Sequence, residues 1–126
     1  MTRTKVYFDG GLRPGGMEIA VVLRGTATIV RDLGPGTSMT AEWLALLHAA
    51  AMVPTEQLAH VVFVGDAAAV VAQASGRARV PPAHLPHREQ LRVLTAGSPL
   101  RLRHVGRSQN LAGIALARLH LDRLHL

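Results

Sequence analysis

The sequence predicts an α/β domain built on a mixed sheet with helices on its faces, and three features carry that prediction. Three β-rich runs open the chain, at residues 5–9, 17–23 and 26–33, separated by glycine-bearing turns. A helical stretch follows at 37–50. The segment 61–76 then passes from a short β-branched run into an Ala-rich helix. Strands first, then helices alternating with strands, give three antiparallel strands joined by two parallel additions. The 126 residues fit one domain, 1–126, long enough to bury a core unaided.

The first strand, Lys5-Val6-Tyr7-Phe8, ends on Asp9, and Gly10 and Gly11 are expected to turn the backbone directly after it. That placement holds Asp9 on a rigid strand facing a cleft. The following Leu12-Arg13-Pro14-Gly15-Gly16 continues the turn; it lacks the Gly-Lys-Ser/Thr ending of a phosphate-binding loop. Arg24-Gly25 marks the second hairpin. Thr37 or Thr40 caps the first helix, Trp43, Leu47 and Ala51 form its buried stripe, and Glu42 falls in its first turn. Pro54 stops it. Gly65-Asp66 stands at the next strand-to-helix junction. A proline-rich basic connection at 77–88 leads to a helix from His84 or His87 to Leu94, then an edge strand at 100–104 and a terminal helix starting near Ser108.

Fourteen Lys and Arg against eight Asp and Glu give a net charge of +6, so a polyanion is the natural partner. Lys5 is the only lysine; the remaining cations are guanidinium groups, suited to bidentate phosphate contact. No apolar run is long enough to span a membrane and no signal pattern opens the chain, so a cytoplasmic protein is expected. The absence of cysteine removes disulfides, thiolate zinc sites and cysteine nucleophiles.

Each of three acids has an ordinary reading: Asp9 in an Asp-Gly turn, Glu42 favoured by the helix dipole, Asp66 as an N-cap. Their placement at the ends of two strands and the start of a helix allows convergence on one edge of the sheet. Clustered carboxylates repel each other, and a divalent cation relieves that repulsion. Hard oxygen ligands select magnesium or manganese. Two such ions about 4 Å apart can activate a water and hold the leaving oxygen of a phosphodiester.

With these residues in place, the chain resembles the type 1 ribonuclease H family over essentially its whole length. The resemblance is carried by Asp9-Gly10-Gly11, by Thr37 with Ala41-Glu42 and Ala45-Leu46, by Gly65-Asp66 with Gln73 and Gly76, and by His104, Gly106 and Asn110. It implies the ribonuclease H-like fold with a five-stranded mixed sheet. It also implies cleavage of the RNA strand of RNA–DNA hybrids by two magnesium ions, with Asp9, Glu42 and Asp66 as metal ligands. His104 matches the family's mobile histidine, which assists water activation or product departure. Asn110, Gly10, Gly11 and Thr37 are candidate metal-shell or substrate contacts.

One departure matters. The family's fourth acid would fall at Ile114, after Gly113, and neither residue can bind a metal. That puts turnover in question without touching the fold, and leaves weak or manganese-preferring activity, or a module that binds hybrid or double-stranded RNA without cutting it. Asp122 is too far along the helix to substitute and is expected to be solvated. His48, His60, His84, His87, His120 and His125 lack paired zinc spacing and are expected at the surface. Phosphate contacts are expected among Arg77, Arg79, Arg88, Arg92, Arg101, Arg103 and Arg107. A monomer is expected, and no protein partner is inferred.

Overall fold

Burial alternates along the first strand of the computed structural model, and that alternation sets the layers. Residues 3–124 are described, with side chains as far as Leu121. In β1 (Thr4–Arg13), Val6 and Phe8 are fully buried on one face of the sheet, while Tyr7 packs on the other. β2 (Gly16–Leu23) and β3 (Thr26–Val30) pair antiparallel to β1 and to each other in turn. β4 (Val61–Gly65) and β5 (Leu102–His104) add in parallel on the other side, giving the order β3-β2-β1-β4-β5. The five-stranded mixed sheet read from the sequence is therefore present, with residues 102–104 at its edge.

Among the described residues, four α-helices cover the two faces. α1 (Ser38–Ala51), α2 (Ala68–Ala74) and α3 (Leu85–Leu94) pack with Val6, Phe8, Val21 and Phe63. α4 (Leu111–Leu124) lies alone on the opposite face, where Ala112 and Leu116 meet Ala20 and Val22. Trp43 is fully buried in the first layer, and its indole Nε1 donates to Gln73 Oε1 at 3.0 Å. Gln73 thus ties α2 to α1.

Several expectations are corrected. Gly10 and Gly11 do not turn the chain: β1 runs through them, pairing Gly10 with Ile19 and Gly11 with Glu18, and the turn is Pro14-Gly15. The glycine at 10 answers a close approach instead, because a Cβ there would fall on the backbone of Ala41 and Glu42. β3 ends at Val30, three residues short of the expected limit. Thr37 is the cap of α1, accepting from Thr40 N at 3.0 Å, so Glu42 lies beyond the first turn and the helix dipole has little hold on it. Trp43 and Leu47 are buried but Ala51 is exposed; the buried face spreads instead over Ala41, Glu42, Ala45, Leu46, Ala49 and Ala50. α1 is held between the sheet and α3, which leaves no simple stripe.

The terminal helix starts at Leu111, not near Ser108. Arg107–Gln109 form a 3₁₀ turn, and Asn110 breaks it with extended backbone at φ −94 and ψ 104. His84 is buried, stacked on Trp43, and His120 is mostly covered by its contact with Glu18, so neither is a surface residue. The side chain of Asp122, and His125, lie outside the described residues.

The contact at Gly10 yields a test of the layer spacing. Gly10→Ala should destabilise the fold by about 1–3 kcal/mol, since backbone must move to admit the methyl group. Gly11→Ala should be tolerated, because its Cβ would meet only Glu18 at 3.7–3.8 Å. Urea denaturation midpoints of the two variants check the difference, and equal midpoints would contradict it.

Candidate metal centre

The parallel register of β1 and β4 brings two of the acids together. Tyr7 lies opposite Val64, so two residues further on Asp9 comes beside Asp66. β4 has ended by then, and β1 continues paired with β2 alone, open on the side that β4 has left. Into that gap comes Glu42 from α1, at the point where Gly10 lets the helix approach. The amide of Gly10 donates to Glu42 Oε1 at 2.8 Å. One ligand oxygen from each of Asp9, Glu42 and Asp66 can be chosen so that all three lie within 4.8 Å of one another.

Asn110 fixes the arrangement from the other face. Fully buried, it donates from Nδ2 to Phe8 O at 3.0 Å and to Asp66 Oδ2 at 3.1 Å, and its Oδ1 accepts from Ala112 N at 3.1 Å. A single amide therefore caps α4, holds β1 and orients one acid. Asp66 does not cap α2; Ala67 occupies that position and makes no side-chain cap bond. His104, exposed at the end of β5, lies with Nε2 3.2 Å from Asp66 O.

The acids line a cleft of about 740 Å³ that also includes Gly10, Gly11, Arg107 and Ser108, with Gly113 and Ile114 from α4. Thr37 is exposed and is not part of this lining. A Cβ on Gly113 would stand 3.3 Å from Asp9 Oδ2 and 3.4 Å from Asp66 Oδ2. Helix α4 thus presents bare backbone to the aspartates, which lets it pack against them. Two further residues of the cleft, Arg13 and Glu18, escaped the reading of the sequence. The available signal was an acid inside the apolar run Met17–Leu23.

Electrostatics follow from this crowding. Burial, then the sharing of a proton with Asp9 and the charge of Asp9, push the Glu42 carboxyl up to about 9. Burial also raises Asp9, with the charge of Asp66 adding to it, while a hydrogen bond from Glu42 and the charge of Arg107 work the other way. With no proton between the two acids, Glu42 Oε2 is buried with no hydrogen-bond partner. An ionised carboxylate oxygen left unpaired in such a place is costly, and either a proton or a cation relieves it. The all-oxygen donor set fits a hard divalent cation.

A family model described as reverse transcriptase-like matches residues 17–120. No curated protein matches the chain in sequence. Among solved structures, the chain is similar to RNase H1 from the halophilic archaeon Halobacterium salinarum NRC-1, with 29% identity, 96% of this chain and 98% of that one covered, and a TM-score of 0.73. LC11-RNase H1, isolated from compost by a metagenomic approach, shares the fold at 23% identity and a TM-score of 0.76, with both chains fully covered. The same LC11-RNase H1 in complex with an RNA/DNA hybrid matches at 18% identity and a TM-score of 0.69, over 86% of this chain and 89% of that one. By its matched segment and its fold, the chain belongs to the reverse transcriptase-like family and, within it, to the type 1 ribonucleases H.

Proposed function

We propose that this chain is an endonuclease of the cytoplasm that cleaves the RNA strand of RNA–DNA hybrids by divalent-metal-dependent hydrolysis, acting as a monomer. The observation that carries the reading is the convergence of Asp9, Glu42 and Asp66 within 4.8 Å, with one Glu42 oxygen buried and unpartnered. A neighbour of the same fold, LC11-RNase H1, was solved with an RNA/DNA hybrid, and this supports the choice of substrate. Magnesium or manganese, when bound, supplies an activated water and charge stabilisation at the leaving oxygen. The side chains supply the rest. Asp9, Glu42 and Asp66 are the ligands, and Asn110 keeps Asp66 in place through its 3.1 Å bond. His104, accessible beside the Asp66 carbonyl, moves a proton during water activation or product departure. Gly10 admits the helix that carries Glu42, Gly10 and Gly11 line the cleft where the substrate backbone passes, and Thr37 fixes the start of that helix.

The absence of a carboxylate at Ile114 favours a second reading, a module that holds hybrid or double-stranded RNA with little or no cleavage. Clustered acids argue against it, because a pure binder gains nothing from negative charge facing a phosphate backbone. The missing ligand is consistent with weak turnover or a preference for manganese.

Labelled hybrid incubated with magnesium and then with manganese separates the two readings. Cleavage by the wild-type protein is expected, with Asp9→Asn and Asp66→Asn each removing it while hybrid binding persists. His104→Ala should slow the reaction by about 10²-fold to 10⁴-fold. Wild-type rates in either aspartate variant would contradict the ligand assignment.

Ile114→Asp should raise magnesium-dependent turnover, since residue 114 lines the acidic cleft. Gly113→Asp should impair it, because its side chain would be forced against Asp9 and Asp66. A folded Ile114→Asp protein with unaltered kinetics and metal dependence would show that the metal shell is completed without this position.

A further inference from the structure

The cleft has a second arm of opposite charge, organised around Glu18. This residue pairs with Gly11 across the β1–β2 hairpin, and its side chain is 2% exposed. Its Oε2 accepts from His120 Nε2 at 2.6 Å and from Arg13 Nε at 3.3 Å, while Oε1 lies 3.6 Å from Arg31 Nε. One buried carboxylate therefore faces three basic side chains. Stability alone does not account for it, since apolar residues of similar volume commonly replace a buried ion pair at no loss.

The carboxylate holds the Arg13 guanidinium by its Nε edge and pairs in charge with Arg31, whose Nε, 3.6 Å away, is buried without a hydrogen-bond partner. Among the described residues, no hydrogen bond engages the terminal nitrogens of Arg13 or Arg31. Arg13 is 44% exposed and lines the same cleft as the acids. It stands four residues beyond Asp9 on the same face of β1, about 13 Å away at strand spacing. A nucleic-acid strand rises about 3.4 Å per nucleotide, so a strand seated at the acids runs within a few nucleotides of Arg13. A guanidinium fixed at Nε still offers its outer N–H groups to a phosphate.

We infer that Arg13, backed by Arg31 and positioned by Glu18 with His120, forms a subsite for a backbone phosphate of the bound nucleic acid, away from the metal ligands. The inference rests on the reading of this cleft as a nucleic-acid site, but not on cleavage. His120 ties α4 to the same carboxylate, so the helix that covers Asp9 and Asp66 is anchored to the basic arm as well.

Binding of labelled RNA–DNA hybrid, measured against salt concentration without divalent metal, tests the subsite separately from the chemistry. Arg13→Gln should weaken binding and reduce the slope of log affinity against log salt by about 0.9, the contribution of one phosphate contact. Arg24→Gln, in the hairpin turn at the far end of β2, should leave the slope unchanged. Folded Glu18→Gln should also weaken binding, although it removes a negative charge next to a polyanion. Charge counting predicts the reverse, so equal or tighter binding by that variant overturns the positioning role. If Glu18→Gln does not fold, Arg13→Gln decides alone, and an unaltered slope overturns the subsite. Loss of slope in a protein that never cleaves would leave the subsite standing and remove the proposed hydrolysis; normal cleavage with an unaltered Arg13→Gln slope would do the opposite.

Discussion

Three carboxylates held within 4.8 Å repel one another, and the fold keeps them together with contacts that the acids themselves do not supply. The β1–β4 register aligns Asp9 with Asp66, the bare Cα of Gly10 admits α1 and hence Glu42, and Asn110 clamps Asp66 to β1. In the metal-free protein the cluster answers the repulsion with a proton on Glu42, whose carboxyl stands at about 9. An unfolded glutamate loses its proton near 4.5, so across the window from about 4.5 to 9 the folded chain retains a proton that the unfolded chain has released. Stability of the metal-free fold therefore falls as pH rises through that window. A cation bound by the three acids would take over the role of the proton.

The acids are a local exception in a protein of net charge +6. The cleft that holds them also contains Arg107 near Asp9 and Arg13 at its other arm. A phosphate backbone is drawn by the arginines and repelled by the carboxylates, and a divalent ion reverses the second effect locally. In the proposed function, affinity and chemistry thus draw on different residues of one cleft, which is why the proposed phosphate subsite can be tested in the absence of metal.

Much of this was legible in the sequence, because periodicity and order carry it. The Val/Tyr/Phe-rich run before Asp9, the β-branched run before Gly65 and the hairpin at Arg24-Gly25 marked the succession of strands, and the three acids were singled out by expected places at element ends, although only Asp66 occupies one: Asp9 lies inside β1 and Glu42 past the first turn of α1. Features set by tertiary approach were not legible. Gly10-Gly11 has the composition of a turn, yet position 10 is glycine because a helix backbone passes over it. Asn110 looked like the body of a helix; its non-helical backbone frees the side chain to reach Phe8 and Asp66, far away in sequence. Glu18 stood in an apolar run with nothing local to announce its partners, which come from β1, the segment after β3 and α4. His84 and His120 were misplaced for the same reason: their burial depends on Trp43 and Glu18, and no local pattern encodes it.

Exchange of a proton for a cation at the three acids is the central physical claim, and calorimetric titration of manganese into the metal-free protein measures it directly. Performed near neutral pH in buffers of differing ionisation enthalpy, the titration counts the protons released. About one proton should leave per molecule, because Glu42 remains protonated below about 9, and affinity should rise with pH toward that value. Asp9→Asn should lose the tight binding event. Manganese binding without proton release, or equally tight binding by Asp9→Asn, would contradict the account.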